Sequence, residues 1–157
     1  MDTGTFVALR PTSGSLDLLQ SLQHVLHLPT PVPRSDLHCT LIDSATSLVG
    51  YDTTIITPHT FVAQLAVITS WPWLDSWCVV LIISSSAIEE YHASLRHLYN
   101  VAPPALNYVP HVTLAYGVPE WYEPAVHISP RSAMKIYFEE EYGVPMCSAV
   151  RDMGYNQ

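Results

Sequence analysis

Two short stretches of this chain carry almost the same residues, DLHCTLID at 36–43 and PHVTLAYG at 110–117. Each sets a histidine two positions before a threonine that leucine follows directly: His38, Thr40 and Leu41, then His111, Thr113 and Leu114. Imidazole, with an ordinary pKa of about 6.5, is available in both protonation states near neutrality. One neutral ring can therefore take a proton from an attacking hydroxyl while a second, protonated, gives one to a leaving oxygen. Two threonine hydroxyls beside them can donate hydrogen bonds to the non-bridging oxygens of a phosphate held between the rings. Together the four groups are a set for moving protons around a phosphodiester with no step that needs a metal. Residue types alone leave open which ring is base and which is acid. A single His-x-Thr more often marks a surface or core histidine, so the chemistry rests on the motif occurring twice.

The elements that must bring the two copies together are also written twice. Sliding the chain on itself by the 73 residues from His38 to His111, without a gap, sets Ser13 on Ser86, Ser21 on Ser94, Leu22 on Leu95, His24 on His97 and Pro31 on Pro104. The apolar stretch FVAL at 6–9 falls on VVLI at 79–82. Each half reads as an apolar strand, a Ser/Thr turn, an amphipathic helix, a Pro-rich loop and a strand bearing His-x-Thr. The first helix is expected at about 15–28, where Leu18, Leu19, Leu22, Val25 and Leu26 form one stripe and Pro29 stops it. The second is expected at about 86–99, with Ile88, Tyr91, Leu95 and Leu98 on one face and Ser86 as N-cap. In a strand, residues two apart share a face. His38 and Thr40 thus point one way and Cys39 and Leu41 the other, with the same division of His111 and Thr113 from Val112 and Leu114. One duplication means two similar halves rather than a solenoid. The expected fold is α+β, with two pseudo-symmetric lobes whose antiparallel sheets face a central cleft and whose helices lie outside. Residues 1–157 read as a single domain in which about 4–43 and 77–116 are equivalent.

Composition narrows the partners. Nearly half of the 157 residues are hydrophobic (48%) and only 13% are charged, which suits one packed domain. The net charge is −8 with six Lys and Arg in all, too few to line a groove for long nucleic acid, whose binding rests on many Lys/Arg–phosphate contacts. A phosphate-bearing substrate should be short. The fully apolar run WCVVLII at 77–83 falls far short of the roughly 20 residues of a membrane span. The opening MDTGTFVALRPT has neither the basic start nor the apolar centre of an export signal. Cys39, Cys78 and Cys147 are scattered and odd in number, which fits a reducing cytoplasm. His24 and His27 can share a helix face, but no further ligand stands at metal-site spacing, so neither metal nor other cofactor is expected.

Several residues outside the motifs have two readings each. WPWLDSW at 71–77 holds three tryptophans; Trp71 and Trp73 share a face of an extended segment and serve either base stacking or the core. In MKIYFEEEY at 134–142, an uninterrupted strand puts Glu139 and Glu141 with Tyr137, and Glu140 with Phe138. There Glu141 is either part of a solvated charge run or an acceptor for an exocyclic amine of a base. Tyr116 has the wrong parity to join Thr113 unless the strand bends at Gly117. Arg10 is a phosphate neutraliser or a plain surface residue. His59, in TPHTF, lacks the intervening residue and reads as incidental. Residues 44–60, rich in Ser and Thr, read as a long loop or edge hairpin, a flexible cover over the cleft.

Paired His-x-Thr-hydrophobic motifs in a duplicated chain of this size resemble the two-histidine (2H) phosphoesterase superfamily. GTFVALRPT at 4–12, PRSDLHCTLI at 33–42, PHVTLAYG at 110–117 and FEEEYG at 138–143 are similar to the phage anti-CBASS nucleases within it. The resemblance implies metal-independent hydrolysis of the 3′-5′ bonds of cyclic di- or oligonucleotide immune messengers, cyclic GMP–AMP among them, to linear products. It implies catalysis by His38, Thr40, His111 and Thr113. It also implies substrate contacts from Phe6, where the family pattern has tyrosine, from Glu141, and from Trp71 with Trp73 as rival; Tyr116 is taken as a further candidate. A 2′-OH would attack phosphorus and the 5′ oxygen would leave. The implied partner is a cyclic di- or trinucleotide, with no obligate protein partner and no membrane, and the implied setting is the host bacterial cytoplasm. Three alternatives stay open: a 2′,3′-cyclic or 2′-5′ phosphodiesterase of RNA ends, a non-catalytic cyclic-nucleotide sponge, and, with the least support, a histidine-rich metal-binding protein.

Overall fold

The computed structural model describes residues 3–104, 106–119 and 125–146, so Cys147 lies outside the described residues. β1 (Gly4–Pro11) runs into Thr12, whose hydroxyl accepts from Ser15 N and caps α1 (Ser13–Val25). A 3-10 turn at Arg34–Asp36 leads to β2 (Cys39–Ser44) and then to the long β3 (Thr57–Trp73). β4 (Ser76–Ser84) follows, and Ser85 caps α2 (Ser86–Leu98) through Ile88 N. β5 (His111–Val118), β6 (Val126–His127) and β7 (Lys135–Met146) complete the described chain.

The two helices match at the 73-residue offset from cap to cap, although both begin and end differently from the pattern. Thr12 and Ser85 are the N-caps, not Ser86, and each helix stops before its prolines. His27 and Asn100, again equivalent, take left-handed φ angles of 52° and 54°. Leu28 N then reaches back to Gln23 O and Val101 N to Arg96 O, the six-to-one closure that ends a helix without proline.

The strands form one sheet in the order β4-β5-β2-β1-β7-β3-β6, and an added β3–β4 pairing closes all but β6 into a ring. β3 makes the closure by serving two neighbours, Thr57–Gln64 beside β7 and Gln64–Trp73 beside β4. The two lobes are therefore parts of one closed sheet. Six strands cannot enclose two helices, so α1 and α2 lie outside, where Leu19, Ile88 and Leu95 join Val7, Leu9, Leu41, Leu81 and Leu114 in the main core. The inner face is the cleft.

Where the two halves meet, β2 and β5 share a single paired position, Cys39 with Val112. These two residues are equivalent in the repeat, so a pseudo-two-fold axis passes between them. The flanking strands keep that symmetry with a shift of one. Leu9 pairs with Cys39 and Ala8 with Thr40, whereas Leu81 pairs with Val112 and Val80 with Thr113. FVAL thus corresponds to CVVL at 78–81 rather than to VVLI, because the second half has one more residue between strand and helix cap. A gapless comparison slips at that joint.

Both His-x-Thr strands carry a bulge at the same place. Register runs from Ala8–Thr40 to Val7–Ile42 in one half and from Val80–Thr113 to Val79–Ala115 in the other, so Leu41 and Leu114 are the extra residues. A bulge lets two successive side chains face one side, and Leu41 with Ile42, and Leu114 with Ala115, are all buried in the core. The leucine that follows each threonine is thus where the strand changes parity.

The loop expected to cover the cleft does otherwise. Leu48 is buried in the main core, Leu48 N donates to Thr5 Oγ1, and Tyr51 reaches β7. Gly143 accepts this packing because any Cβ there would sit 2.5 Å from the Tyr51 ring. The loop closes the outer core.

Candidate active site

Continuing the antiparallel register from Cys39–Val112 sets His38 opposite Thr113 and Thr40 opposite His111. The pairing is crossed: each histidine has the other motif's threonine for a neighbour. All four side chains alternate away from the core residues Cys39, Leu41, Val112 and Leu114 and share the inner face. His38 and Thr40 are half-buried, and His111 and Thr113 are buried.

The rings are oriented alike. His38 Nδ1 lies 2.6 Å from Asp36 O, and His111 Nδ1 lies 2.8 Å from Val109 O. A carbonyl only accepts, so each Nδ1 carries the proton and each Nε2 keeps its lone pair. Burial holds both imidazoles below the ordinary histidine range. For each, the carbonyl at Nδ1 acts in the other direction, and for His38 the charge of a protonated His111 lowers it further. That repulsion favours the state with one proton between the two rings. Cys39, beside both motifs, is no rival nucleophile, because burial raises its thiol to about 11.

Each histidine has an aromatic wall. Phe6 stands edge-on to His38 at 5.2 Å between ring centroids, and Trp71 stands edge-on to His111 at 4.7 Å. Trp73 packs against Tyr116 instead, 4.7 Å away. Tyr116 reaches this side through the bulge at Leu114 rather than through a bend at Gly117: one extra residue reverses parity, so Tyr116 returns to the face of Thr113.

Glu141 is not on this face. It pairs with Leu9, is 3% exposed, and accepts from Tyr51 (2.7 Å), from Tyr91 and from His59 (2.9 Å). A carboxylate with three donors on the outer side of the sheet cannot meet a base in the cleft. The cause is a third bulge. Arg10 pairs with Glu140 and Pro11 with Phe138, so Glu139 is the extra residue and the alternation read from Tyr137 is inverted beyond it. The inner face instead receives Glu140, 3.8 Å from Arg10, whose guanidinium lies 4.8 Å over the Tyr142 ring. His59, which read as incidental, belongs to the Glu141 cluster.

Two further polar side chains serve the motifs from behind. His92 Nδ1 lies 2.6 Å from Leu41 O and its ring stacks on Tyr108 at 3.7 Å; Tyr108 Oη donates to Thr40 O at 2.8 Å. Gln23 Nε2 donates to Leu114 O at 2.9 Å and to Val32 O at 2.8 Å. The signal was present in sequence: His92 is four residues from Ile88 and Gln23 four from Leu19, so each is a polar residue within an apolar helix stripe.

The family model described as anti-CBASS protein Acb1 matches residues 3–149. The chain belongs to the Acb1 family. It is 33% identical over 121 residues to the Acb1 of Enterobacteria phage T4, covering 74% of each chain. The Acb1 of Salmonella phage S16 is 31% identical over 117 residues, again covering 74% of each. Among solved structures, E. coli LigT complexed with phosphate is similar at a TM-score of 0.57 and 20% identity, covering 91% of this chain and 87% of that one. LigT shares the fold with the Acb1 family member described here. Among the described residues no three His, Cys, Asp or Glu side chains gather as a metal site, and no helix is long and apolar enough to cross a membrane.

Proposed function

We propose that His38, Thr40, His111 and Thr113 form the catalytic centre of this chain, with Phe6, Trp71 and Tyr116 as substrate contacts. Membership in the Acb1 family makes the chain an anti-CBASS phosphodiesterase that degrades cyclic nucleotides. The observation that carries the catalytic reading is the matched pair of Nδ1–carbonyl bonds, which leaves two Nε2 atoms on one face for a single proton exchange. With a 3′-5′ linkage between them, one Nε2 takes the proton of the ribose 2′-OH as that oxygen attacks phosphorus. The other, protonated, delivers its proton to the departing 5′ oxygen. The product is linear and ends in a 2′,3′-cyclic phosphate, which water opens to the 3′ phosphate. Thr40 and Thr113 donate to the non-bridging oxygens. Proton transfer and charge stabilisation both come from these side chains, so the reaction runs without a metal. Bound phosphate charge raises the pKa of the imidazole that must act as acid, offsetting the effect of burial.

Phe6 and Trp71 flank the phosphate on either side of the axis, a spacing suited to a small ring with a base on each side. The net charge of −8 argues for a cyclic di- or trinucleotide over long RNA. The whole chain acts as one domain without an obligate protein partner, in the cytoplasm of the host bacterium, where such messengers are made.

The test is incubation with 3′3′-cyclic GMP–AMP in excess EDTA, beside the His38→Ala/His111→Ala protein, with products read by HPLC-mass spectrometry. Linear product from the unaltered chain alone is expected. Retained activity in the double variant would overturn the assignment, and cleavage only of a 2′-5′ linked or 2′,3′-cyclic substrate would overturn the substrate class.

A further inference from the structure

We infer that His92 and Gln23 are positioning residues, each fixing the catalytic motif of the opposite half from the far side of the sheet. The inference rests on the catalytic reading above. His92 belongs to α2 in the second half, and its Nδ1 donates to the carbonyl of Leu41 in the first. Gln23 belongs to α1 in the first half, and its amide donates to the carbonyl of Leu114 in the second. Leu41 and Leu114 are the two bulge residues, one position beyond the catalytic threonines.

A bulge leaves the carbonyl of its extra residue outside the strand ladder. Here it opens toward the core, where water cannot serve it and a buried donor must. Each carbonyl has a side-chain donor at most 6% exposed, set within an otherwise apolar helix face, and Leu114 O accepts from the backbone of Val32 as well. His92 and Gln23 are not equivalent in the repeat, so the same need is met by two different residues at two different helix positions. Duplication alone does not carry over such an arrangement. Each half met the need separately.

The geometric consequence is direct. The bulge sets which face Thr40 and Thr113 present, and through the preceding residue it sets the depth of His38 and His111. Tyr108 adds a second hold on the first motif through Thr40 O, and Val32 N adds one on the second through Leu114 O at 2.9 Å. Loss of the His92 donor should therefore disturb His38 and leave His111 as it is. Loss of the Gln23 donor should do the reverse. A general loosening of the core would move both together.

The variants are His92→Phe, which keeps a ring on Tyr108 but has no donor, His92→Asn, whose amide nitrogen replaces Nδ1, and Gln23→Met. Imidazole proton titrations followed by NMR in the substrate-free protein read His38 and His111 separately. Turnover of 3′3′-cyclic GMP–AMP then gives kcat and KM. His92→Phe should displace the His38 titration alone and lower kcat about tenfold or more at nearly constant KM, the effect of a misplaced reacting group. His92→Asn should recover most of both. Gln23→Met should displace His111 alone. Unchanged titrations, or equal displacement of both histidines in every variant, would overturn the inference. If His92→Phe does not fold, Gln23→Met carries the test: displacement of His111 alone supports the inference, and an unmoved His111, or displacement of both rings, overturns it. The titrations need no substrate. A chain inactive on this dinucleotide would therefore count against the catalytic reading while the positioning result stood on its own.

Discussion

The two halves match at their helices and His-x-Thr strands and differ in the aromatic side chains beside the histidines. Helices, N-caps, left-handed C-terminal residues, bulges and Nδ1–carbonyl bonds coincide at one offset. The aromatic walls do not. Phe6 comes from β1, inside the repeat, and its structural counterpart by strand register is Cys78, a small buried side chain. The indole on that side comes instead from Trp71 of β3, the strand neighbour of Cys78 and a residue outside the repeat. The backbone setting of the two histidines is thus matched while the aromatic residues beside them differ in origin. On the proposed reading, a symmetric pair of histidines is joined to asymmetric aromatic walls, which would suit a ring carrying two different bases.

Breaking the symmetric part should cost most. His38→Gln and His111→Gln, assayed singly, should each lower kcat by about a thousandfold or more, within the range for loss of a general acid or base. If the halves are functionally equal, the two losses will lie within about tenfold of each other. A large imbalance would show that one ring supplies most of the catalysis. The asymmetric part should respond in binding. Trp71→Ala and Phe6→Ala should raise KM, the indole more than the phenyl, by up to about tenfold at the lower end of aromatic stacking energies. Substrates differing at one base should separate the two walls, and equal effects on all substrates would deny them a role in base choice.

The outer face supplies the contrast. Glu141→Ala leaves Tyr51, Tyr91 and His59 without their shared acceptor and should cost about 2–4 kcal/mol of stability in urea unfolding, the scale for breaking a buried charged network. Its kcat per folded molecule should stay within about twofold of the parent, since the cluster lies across the sheet from the two His-x-Thr pairs. Loss of turnover without loss of stability would return Glu141 to the substrate. The smallest effect is in pH. The His38 and His111 imidazoles are held below the ordinary value in the free protein, so if they are the acid and base, the kcat/KM optimum, midway between two lowered values, should fall on the acid side of about pH 6.5. The kcat optimum should lie higher, because bound phosphate favours the imidazolium. Stability follows the same sign: the unfolded chain takes protons first, so stability declines as pH drops through about 6.5.

Much of this was legible in the residues. Helix periodicity, the strand parity of His-x-Thr and the repeat lead to the α+β architecture, and to an inner face shared by His38, Thr40, His111 and Thr113. What escaped was every bulge. Alternation assumed along 134–142 set Glu141 beside Tyr137, toward the cleft, and alternation assumed along 111–117 let Tyr116 reach the cleft only through a bend at Gly117. A bulge adds one residue to one strand only, and the pattern of that strand looks the same with or without it; the information resides in the partner. The β1–β4 equivalence slipped for a related reason, one extra residue at a strand–helix joint. His59 and Tyr51 were unreadable because their shared partner is some 80 to 90 residues away in sequence.

The axis between Cys39 and Val112 has a consequence for descent. Two-fold related strands that pair through equivalent residues are what an isologous homodimer interface looks like. A free-standing half would meet its own copy along this edge and bring two identical His-x-Thr motifs face to face. Such an assembly could not give its two histidines different duties except through the substrate. Covalent fusion removes that constraint. Once both copies lie on one chain, Trp71 can be recruited to one side only, His92 and Gln23 can be chosen separately, and acid and base can diverge in environment while their backbones stay superimposable.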